Sequence, residues 1–152
     1  RGPVQISFAK SVDPIFTQDI TITRQARTNE SDSATMGRKS IVPYGLYRAD
    51  GYVSAMLAQK ITKFSEEDLE LLWKAIINMF EHDRSAARGK MCVRKLYVFK
   101  HDSLLGNAPA NVLFDKIVIG KKDVVEVPRS FNDYEITVDK NMPEGVELQE
   151  KA

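Results

Sequence analysis

The stretch that decides the fold class is SEEDLELLWKAIINMFE, at residues 65–81. Its apolar residues recur every three or four positions, which is typical of a helix with one apolar stripe facing a core. Ser65 precedes an acidic run and Asp68 follows three positions later, so the two residues fit an N-terminal capping box. The sequence therefore predicts one long amphipathic helix near the middle of the chain, with Trp73 on its buried side.

Strand patterns precede this helix. Residues 4–12 alternate weakly between apolar and polar, and residues 19–27 alternate clearly between isoleucine and threonine. Residues 28–37 are polar and rich in turn formers, which predicts a loop. Residues 40–57 are rich in tyrosine and valine and predict a strand or a bent strand pair, whose proline and glycine mark an edge or a bulge.

More strand patterns follow the helix. Residues 91–101 predict a strand in which Cys92 is a small buried residue. A short helix is expected to begin near Pro109, and further strands at residues 116–119 and 134–138. Strands thus predominate around one long helix, which favours an α+β fold with an antiparallel sheet.

Several function classes lack their signals in this chain of 152 residues, a length that suits about one domain. Its single cysteine permits no internal disulfide, and its apolar runs are too short to cross a bilayer. Two histidines, each followed by aspartate at positions 82–83 and 101–102, are too few for a histidine-rich metal centre. Nucleotide-binding glycine loops and a nucleophile elbow are lacking too. We therefore expect no metal and no cofactor.

The net charge of +1 conceals a segregated distribution of charges. Residues 33–48 and residues 84–100 carry basic side chains and no acid, whereas the last third of the chain is acidic. Cations beside aromatic and apolar side chains suit single-stranded RNA, because they can hold phosphates and splayed bases. Solvated faces of a protein-interaction domain would show the same composition, so composition leaves both readings open.

Three long blocks carry a family resemblance: TMGRKSIVPYGLYRADGYVSAMLA (35–58), FSEEDLELLWKAIINMFEHDRSAARGKM (64–91) and LYVFKHDSLLGNAPANVLFDKI (96–117). Together they resemble the C-terminal half of the backbone subunit of the type I-C CRISPR surveillance complex, Cascade, which is a RAMP protein of the Cas-seven group. The resemblance implies a modified RRM-like (ferredoxin-like) antiparallel sheet with helices and a thumb hairpin at about residues 19–55. It also implies that residues 1–152 form one partial domain that lacks its N-terminal half.

The resemblance implies a function in CRISPR antiviral defence, in the prokaryotic cytoplasm and away from membranes. Such a subunit is not an enzyme: it binds guide crRNA, supports pairing with target DNA, and assembles with copies of itself and with other Cascade subunits. The implied RNA-binding residues are Arg24, Arg27, Met36, Arg38, Lys39, Tyr44, Arg48, Ser85, Arg88, Lys90 and Lys100; Lys100 and, in addition, His101 are the weaker candidates. One alternative is a metal-dependent RNA endonuclease of the related type III kind, for which Asp32 is the candidate residue.

Overall fold

The computed structural model describes residues 2–24 and 35–152 and has an α+β fold built from antiparallel strand pairs. The strands are β1 (Val4–Ile6), β2 (Lys10–Ser11), β3 (Gln18–Arg24), β4 (Thr35–Ile41), β5 (Tyr47–Arg48), β6 (Gly51–Val53), β7 (Tyr97–His101), β8 (Ile117–Lys121), β9 (Tyr134–Val138) and β10 (Val146–Glu150). The helices are α1 (Ala55–Leu57), which continues as a π-helical turn (Ala58–Thr62), then α2 (Glu66–His82), α3 (Ala110–Phe114) and a 3-10 turn (Phe131–Asp133). Within the described residues, every helix is too short or too polar to cross a bilayer.

Three of the strand pairs follow one another along the same two chain segments. β1 pairs with β6, β2 with β5, and β3 with β4, all antiparallel. Backbone hydrogen bonds continue the ladder between these pairs, from Ser7 N to Asp50 O and from Val12 N to Leu46 O, both at 2.8 Å. The two segments therefore form one long ribbon, in which β3 and β4 are the last described pair; we call β3 and β4 together the β3–β4 ribbon.

The ribbon bends where both of its strands carry a proline. Pro14 and Pro43 lie between the β2–β5 and β3–β4 pairs, and proline has no N–H to donate to a ladder. At the same bend, a Cβ on Gly45 would lie 2.9 Å from Cε2 of Tyr47, so a larger residue would crowd this ring. Residues 40–57, predicted as a strand or a bent strand pair, contain the end of β4 and then β5 and β6, but Ala55–Leu57 form α1. The predicted loop at 28–37 is wrong at its end, because β4 already begins at Thr35.

Helix α2 confirms the predicted helix and its cap. The Ser65 hydroxyl accepts a hydrogen bond from Asp68 N (3.1 Å), and the Asp68 carboxylate accepts one from Ser65 N (2.8 Å). Trp73 and the rest of the apolar stripe are only half buried, and no residue of α2 is fully buried. The position of the apolar stripe was predicted correctly, but the other described residues bury it only in part.

The strand expected at residues 91–101 is shorter than predicted. It begins only at Tyr97, where its ladder with β10 begins; next to this ladder, Lys151 N donates to Leu96 O (2.8 Å) and Leu96 N donates to Ala152 O (3.3 Å). Cys92 lies before this pair and is exposed, so the prediction of a buried cysteine is wrong. Strand β10 itself was not predicted, whereas α3 and β9 appear where expected, and β8 starts one residue later.

The tightly packed core lies around α3 and its neighbours. Phe114 of α3 packs edge-to-face on Tyr52 of β6 and on Phe99 of β7, with ring centroids 5.6 and 6.4 Å apart. The most deeply buried apolar residues are Ala58, Leu113, Ile117 and Tyr134. This small core joins the root of the ribbon to the C-terminal strand pairs and leaves the β3–β4 ribbon exposed.

Candidate nucleic-acid interface

The β3–β4 ribbon has two chemically different faces. Residues that pair directly across an antiparallel ladder lie on the same face, and successive residues alternate. The pairs Thr21–Arg38 and Thr23–Met36 therefore share one face with the pair Asp19–Ser40, whose side chains are hydrogen-bonded at 2.5 Å. We call this the polar face, and it carries one cation and one long flexible apolar side chain.

The opposite face of the ribbon carries two isoleucines of β3. Ile20 pairs with Lys39, and Ile22 pairs with Gly37, where a Cβ would lie 3.3 Å from the Ile22 side chain. Both isoleucines are exposed. We call this the isoleucine face, and Lys39 on this face points away from Arg38. The two basic residues that are adjacent in the sequence thus cannot grip the same stretch of a ligand from one face.

Met36 is the most exposed apolar residue of the ribbon, at 71% of its full accessibility. It lies two positions from Arg38 on the polar face, and Thr21 and Thr23 stand opposite these two residues. A polarizable thioether beside a guanidinium can meet the flat surface of a base while the cation holds a phosphate. The polar face therefore offers both kinds of contact that single-stranded RNA requires.

Three of the sequence candidates lie at or beyond the last described residue of β3. Arg24 lies on β3, paired with Thr35. Arg27 and the alternative nuclease residue Asp32 lie outside the described residues. Their predicted roles stay predictions.

Arg48 is placed inside the fold rather than on an open face. Its guanidinium donates to Ile117 O (2.8 Å) and Phe114 O (3.0 Å) and forms an ion pair with Asp50 (2.9 Å). It also lies over the Phe114 ring, 5.9 Å from the centroid. Most of its donors are therefore occupied by the protein itself, and this geometry gives Arg48 the role of joining the ribbon to α3.

Tyr44 is likewise part of the packing. Its ring lies 6.4 Å from that of Tyr134, and burial raises the pKa of its hydroxyl. The pKa of Tyr134 is raised further, first by burial and then by the neighbouring Asp13 carboxylate. Oδ2 of Asp13 is buried and has no hydrogen-bond partner within residues 2–24 and 35–152. These groups anchor the ribbon's bend to β9 and keep Tyr44 from facing a ligand freely.

The second basic stretch, at residues 84–100, begins just after α2. Ser85 accepts hydrogen bonds from the backbone of Arg88 and Gly89, which closes a turn, and Gly89 has a φ of +59°. Arg88 forms an ion pair with Asp83 at the end of the helix. Lys90 is exposed and forms no ion pair with the described residues. Of this group, Lys90 is therefore the cation that remains available to a phosphate.

Lys100 and His101 occupy the end of β7. Lys100 is exposed and pairs across the ladder with Glu147 of β10. His101 Nδ1 accepts a hydrogen bond from Asn107 N at 2.9 Å, so this nitrogen serves the local turn. The described residues contain no cluster of three or more potential metal ligands. The first His-Asp dipeptide lies at the end of α2, and the second lies at the end of β7.

Sequence reasoning missed some features that shape this interface. Thr21 and Thr23 on the polar face were not candidates, although their alternation with isoleucine had already separated the two faces. Arg94 belongs to the basic run at residues 84–100, but its stacking on Phe131, with 4.4 Å between guanidinium and ring centroid, had no local signal. Its partner lies far along the chain, so only the folded structure brings the two side chains together.

Comparison with known proteins gives one family. A sequence model described as CRISPR-associated protein Cas7 matches residues 1–139. No curated protein matches the chain.

Proposed function

Because this chain belongs to the Cas7 family of CRISPR-associated proteins, and so serves CRISPR defence as a backbone subunit of an effector complex, we propose that it holds guide crRNA with the polar face of its β3–β4 ribbon. The observation that carries this proposal is that Met36 and Arg38, two positions apart on β4, are both exposed on one face of the ribbon. The ribbon is exposed on both of its faces. Such a ribbon buries little of its own surface, so its side chains are available to contact a ligand.

The polar face suits single-stranded RNA in two ways. Arg38 supplies a phosphate contact, and Met36 supplies an apolar surface against which a splayed base can lie. The threonine hydroxyls opposite them add donors and acceptors for sugar and phosphate groups. We propose that Lys90 and Lys100 make further contacts with the phosphate backbone of the RNA, since both side chains are exposed.

The finer assignments extend the same proposal. We place the chain in a type I-C Cascade with an RRM-like core, on the strength of the three sequence blocks. In this role it supports pairing of the guide with target DNA, assembles with copies of itself and with other Cascade subunits, and acts in the prokaryotic cytoplasm. It needs no catalytic group or cofactor, because holding RNA requires only phosphate and base contacts.

Salt-dependent RNA binding tests the proposal, with two adjacent residues as matched variants. Fluorescence anisotropy with a labelled single-stranded RNA should give an affinity that falls as salt rises. Each lost phosphate contact lowers the slope of log K against log salt by about 0.7. Arg38→Ala should lower affinity and slope, whereas Lys39→Ala, on the isoleucine face, should change both little. An equal loss of RNA affinity in both variants would contradict the assignment of the polar face as the RNA contact surface.

Incubation with divalent metal separates this proposal from the endonuclease alternative. The RNA should remain intact in the presence of Mg²⁺ or Mn²⁺ over the time of a binding experiment. Cleavage that Asp32→Ala abolishes would replace the holding function with a catalytic one.

A further inference from the structure

The backbone ladder of the long ribbon is interrupted where the ribbon bends. The ladder stops after the rung from Val12 N to Leu46 O and resumes at the pair Gln18–Ile41, so the first segment crosses this gap with one residue more than the second. An unequal number of residues on two paired strands bends the pair, as a β-bulge does. The shape of the bend therefore depends on side chains, and Asp13 is the first residue inside the gap.

One carboxylate oxygen of Asp13 is enclosed in the protein. This oxygen, Oδ2, is buried and accepts no hydrogen bond from the residues that the structure describes. A carboxylate accepts hydrogen bonds but donates none, and a buried acceptor without a donor costs free energy. The neighbouring Tyr134 hydroxyl carries a single proton, so it can serve only one acceptor. Oδ2 of Asp13 therefore favours a donor from outside the described residues.

Asp13 also lines a small cavity at the bend, with a volume of about 30 Å³. Its lining includes two further polar side chains and several apolar ones, among them Tyr44, Tyr134, Ile15, Leu46 and Val127. A cavity needs roughly 10–15 Å³ to hold a water molecule, so this one has room for one or two. We call it the bend cavity, and its size restricts its occupant to a very small polar molecule or ion.

The lining of the bend cavity favours water over an ion. Among the described residues, Asp13 is the one acid of the lining, whereas a bound metal cation needs several oxygen ligands. Arg129 lines the cavity too, and its guanidinium lies over the Phe16 ring, 5.5 Å from the centroid. In the described part of the chain it forms no ion pair with Asp13. Its positive charge disfavours a second cation at this place.

A water molecule in the bend cavity would meet polar groups from three parts of the fold. Asp13 belongs to the first segment of the ribbon, Tyr44 to the second segment and Tyr134 to β9. The two tyrosine rings lie 6.4 Å apart, and burial raises the pKa of both hydroxyls. A buried water makes about two to four hydrogen bonds, which one carboxylate and two hydroxyls can supply.

We propose that the bend cavity binds an ordered water molecule, which donates a hydrogen bond to Asp13 Oδ2 and bridges it to the hydroxyls of Tyr44 and Tyr134. The bridge joins both segments of the ribbon to β9 and fixes the direction in which the β3–β4 ribbon projects. The site itself follows from the cavity and the enclosed Asp13 oxygen. Its consequence for RNA rests on the proposed function, because a ribbon of fixed direction holds Met36 and Arg38 in place for the guide.

A high-resolution crystal structure of the unaltered chain tests the site directly. We expect an ordered water about 2.7 Å from Asp13 Oδ2. Asp13→Leu, which keeps the branched shape but removes the acceptor, should lose this water, whereas Asp123→Asn at an exposed residue is the matched control and should keep it. A dry cavity, a metal cation at this place, or a direct hydrogen bond from Arg129 or Tyr134 to Oδ2 would overturn the proposal.

Amide hydrogen exchange tests the effect of the water on the ribbon. Val12 N donates to Leu46 O beside the bend, so this amide should exchange about tenfold faster in Asp13→Leu than in the unaltered chain. Tyr44→Phe removes one partner of the water and leaves Asp13 in place, and it should accelerate the same amide to a smaller extent. The Ser7 amide, bonded to an acceptor further from the bend, is the internal control. Unchanged exchange of Val12, or equal acceleration at Ser7, would contradict the bridge.

RNA binding by the same variants separates this inference from the proposed function. Asp13→Leu should lower the affinity for single-stranded RNA about threefold, because the ribbon is held less firmly. The slope of log K against log salt should stay the same, since no phosphate contact is removed. A lower slope would contradict the positioning role of Asp13. A bound water in a chain that does not bind RNA would refute the proposed function alone, and RNA binding by a chain with a dry cavity would refute this inference alone.

Discussion

Arg48 and Arg38 carry the same guanidinium in opposite environments. Arg48 is half buried and bonded to two backbone carbonyls of the α3–β8 region, whereas Arg38 is exposed on the polar face of the ribbon. Asp50, which forms an ion pair with Arg48, lies two positions away, but the two carbonyls that bind Arg48 lie more than sixty positions away. One arginine therefore stabilises the fold, and the other is available to a ligand.

Removal of Arg48 should destabilise the protein. Arg48→Ala leaves the carbonyls of Phe114 and Ile117 without their donors, and such losses cost about 2–3 kcal/mol in the free energy of unfolding. Arg48→Lys should recover only part of this loss, because an ammonium group lacks the planar fork. Urea denaturation measures the effect, with Arg38→Ala as the exposed control that changes stability by less than about 0.5 kcal/mol. Equal midpoints for Arg48→Ala and Arg38→Ala would contradict the assignment.

Gly145 is required by its backbone shape and by a close neighbour. Its φ is +76°, and a Cβ there would lie 2.2 Å from Nδ2 of Asn107. Gly145→Ala should therefore lower the free energy of unfolding by about 1–3 kcal/mol. Gly120→Ala is the matched control, since nothing lies within 4 Å of its Cβ position. Thermal denaturation of both variants decides the matter, and a Gly145→Ala midpoint as high as that of Gly120→Ala would show that Asn107 yields without cost.

At the scale of elements, the sequence predicted those helices and strands whose stabilising interactions lie within one short segment. Helix α2 has its cap, its acidic first turn and its apolar period within one continuous segment, so its position could be predicted from the sequence. Strand β10 could not, because its stability depends on β7, which is more than forty residues away. The opposite placement of Arg38 and Lys39 follows from strand alternation once β4 is known to begin at Thr35. The sequence signal there indicated a loop instead.

The cap of α2 should contribute measurably to stability. Ser65→Ala removes the acceptor of Asp68 N, at a cost of about 1 kcal/mol. Ser65→Asp keeps an oxygen in the capping position and should lose much less. Denaturant midpoints of the two variants at neutral pH provide the comparison. A Ser65→Ala midpoint equal to that of the unaltered chain would mean that water replaces the serine oxygen without loss.

At the scale of the whole molecule, several carboxylates make stability depend on acid. The pKa of Asp68 is lowered by hydrogen bonds from Ser65, that of Asp133 by the backbone N–H groups of Arg129 and Ser130, and that of Asp139 chiefly by Lys116. A lowered folded-state pKa means that the stabilisation is present above the unfolded value of about 3.9 and is lost as pH falls through the folded value. The protein should therefore lose stability below about pH 4.

Asp133→Asn tests this acid dependence. The amide keeps an oxygen that can accept the N–H bonds but does not titrate, so stability of the variant should change less between pH 5 and pH 3, values that bracket the unfolded pKa of about 3.9. Urea midpoints across this range measure the slope for both proteins. Parallel slopes would show that Asp133 has the same pKa in the folded and unfolded states.

The central claim is that this chain is an RNA-holding backbone subunit, and the size of its assemblies with RNA tests it most directly. Light scattering on a sizing column should be measured with and without a guide-length single-stranded RNA, at low and at high salt. The account predicts larger particles that contain RNA at low salt and disperse at high salt, because phosphate contacts weaken as counterions compete. A particle whose mass is the same with and without RNA at both salt concentrations would contradict it.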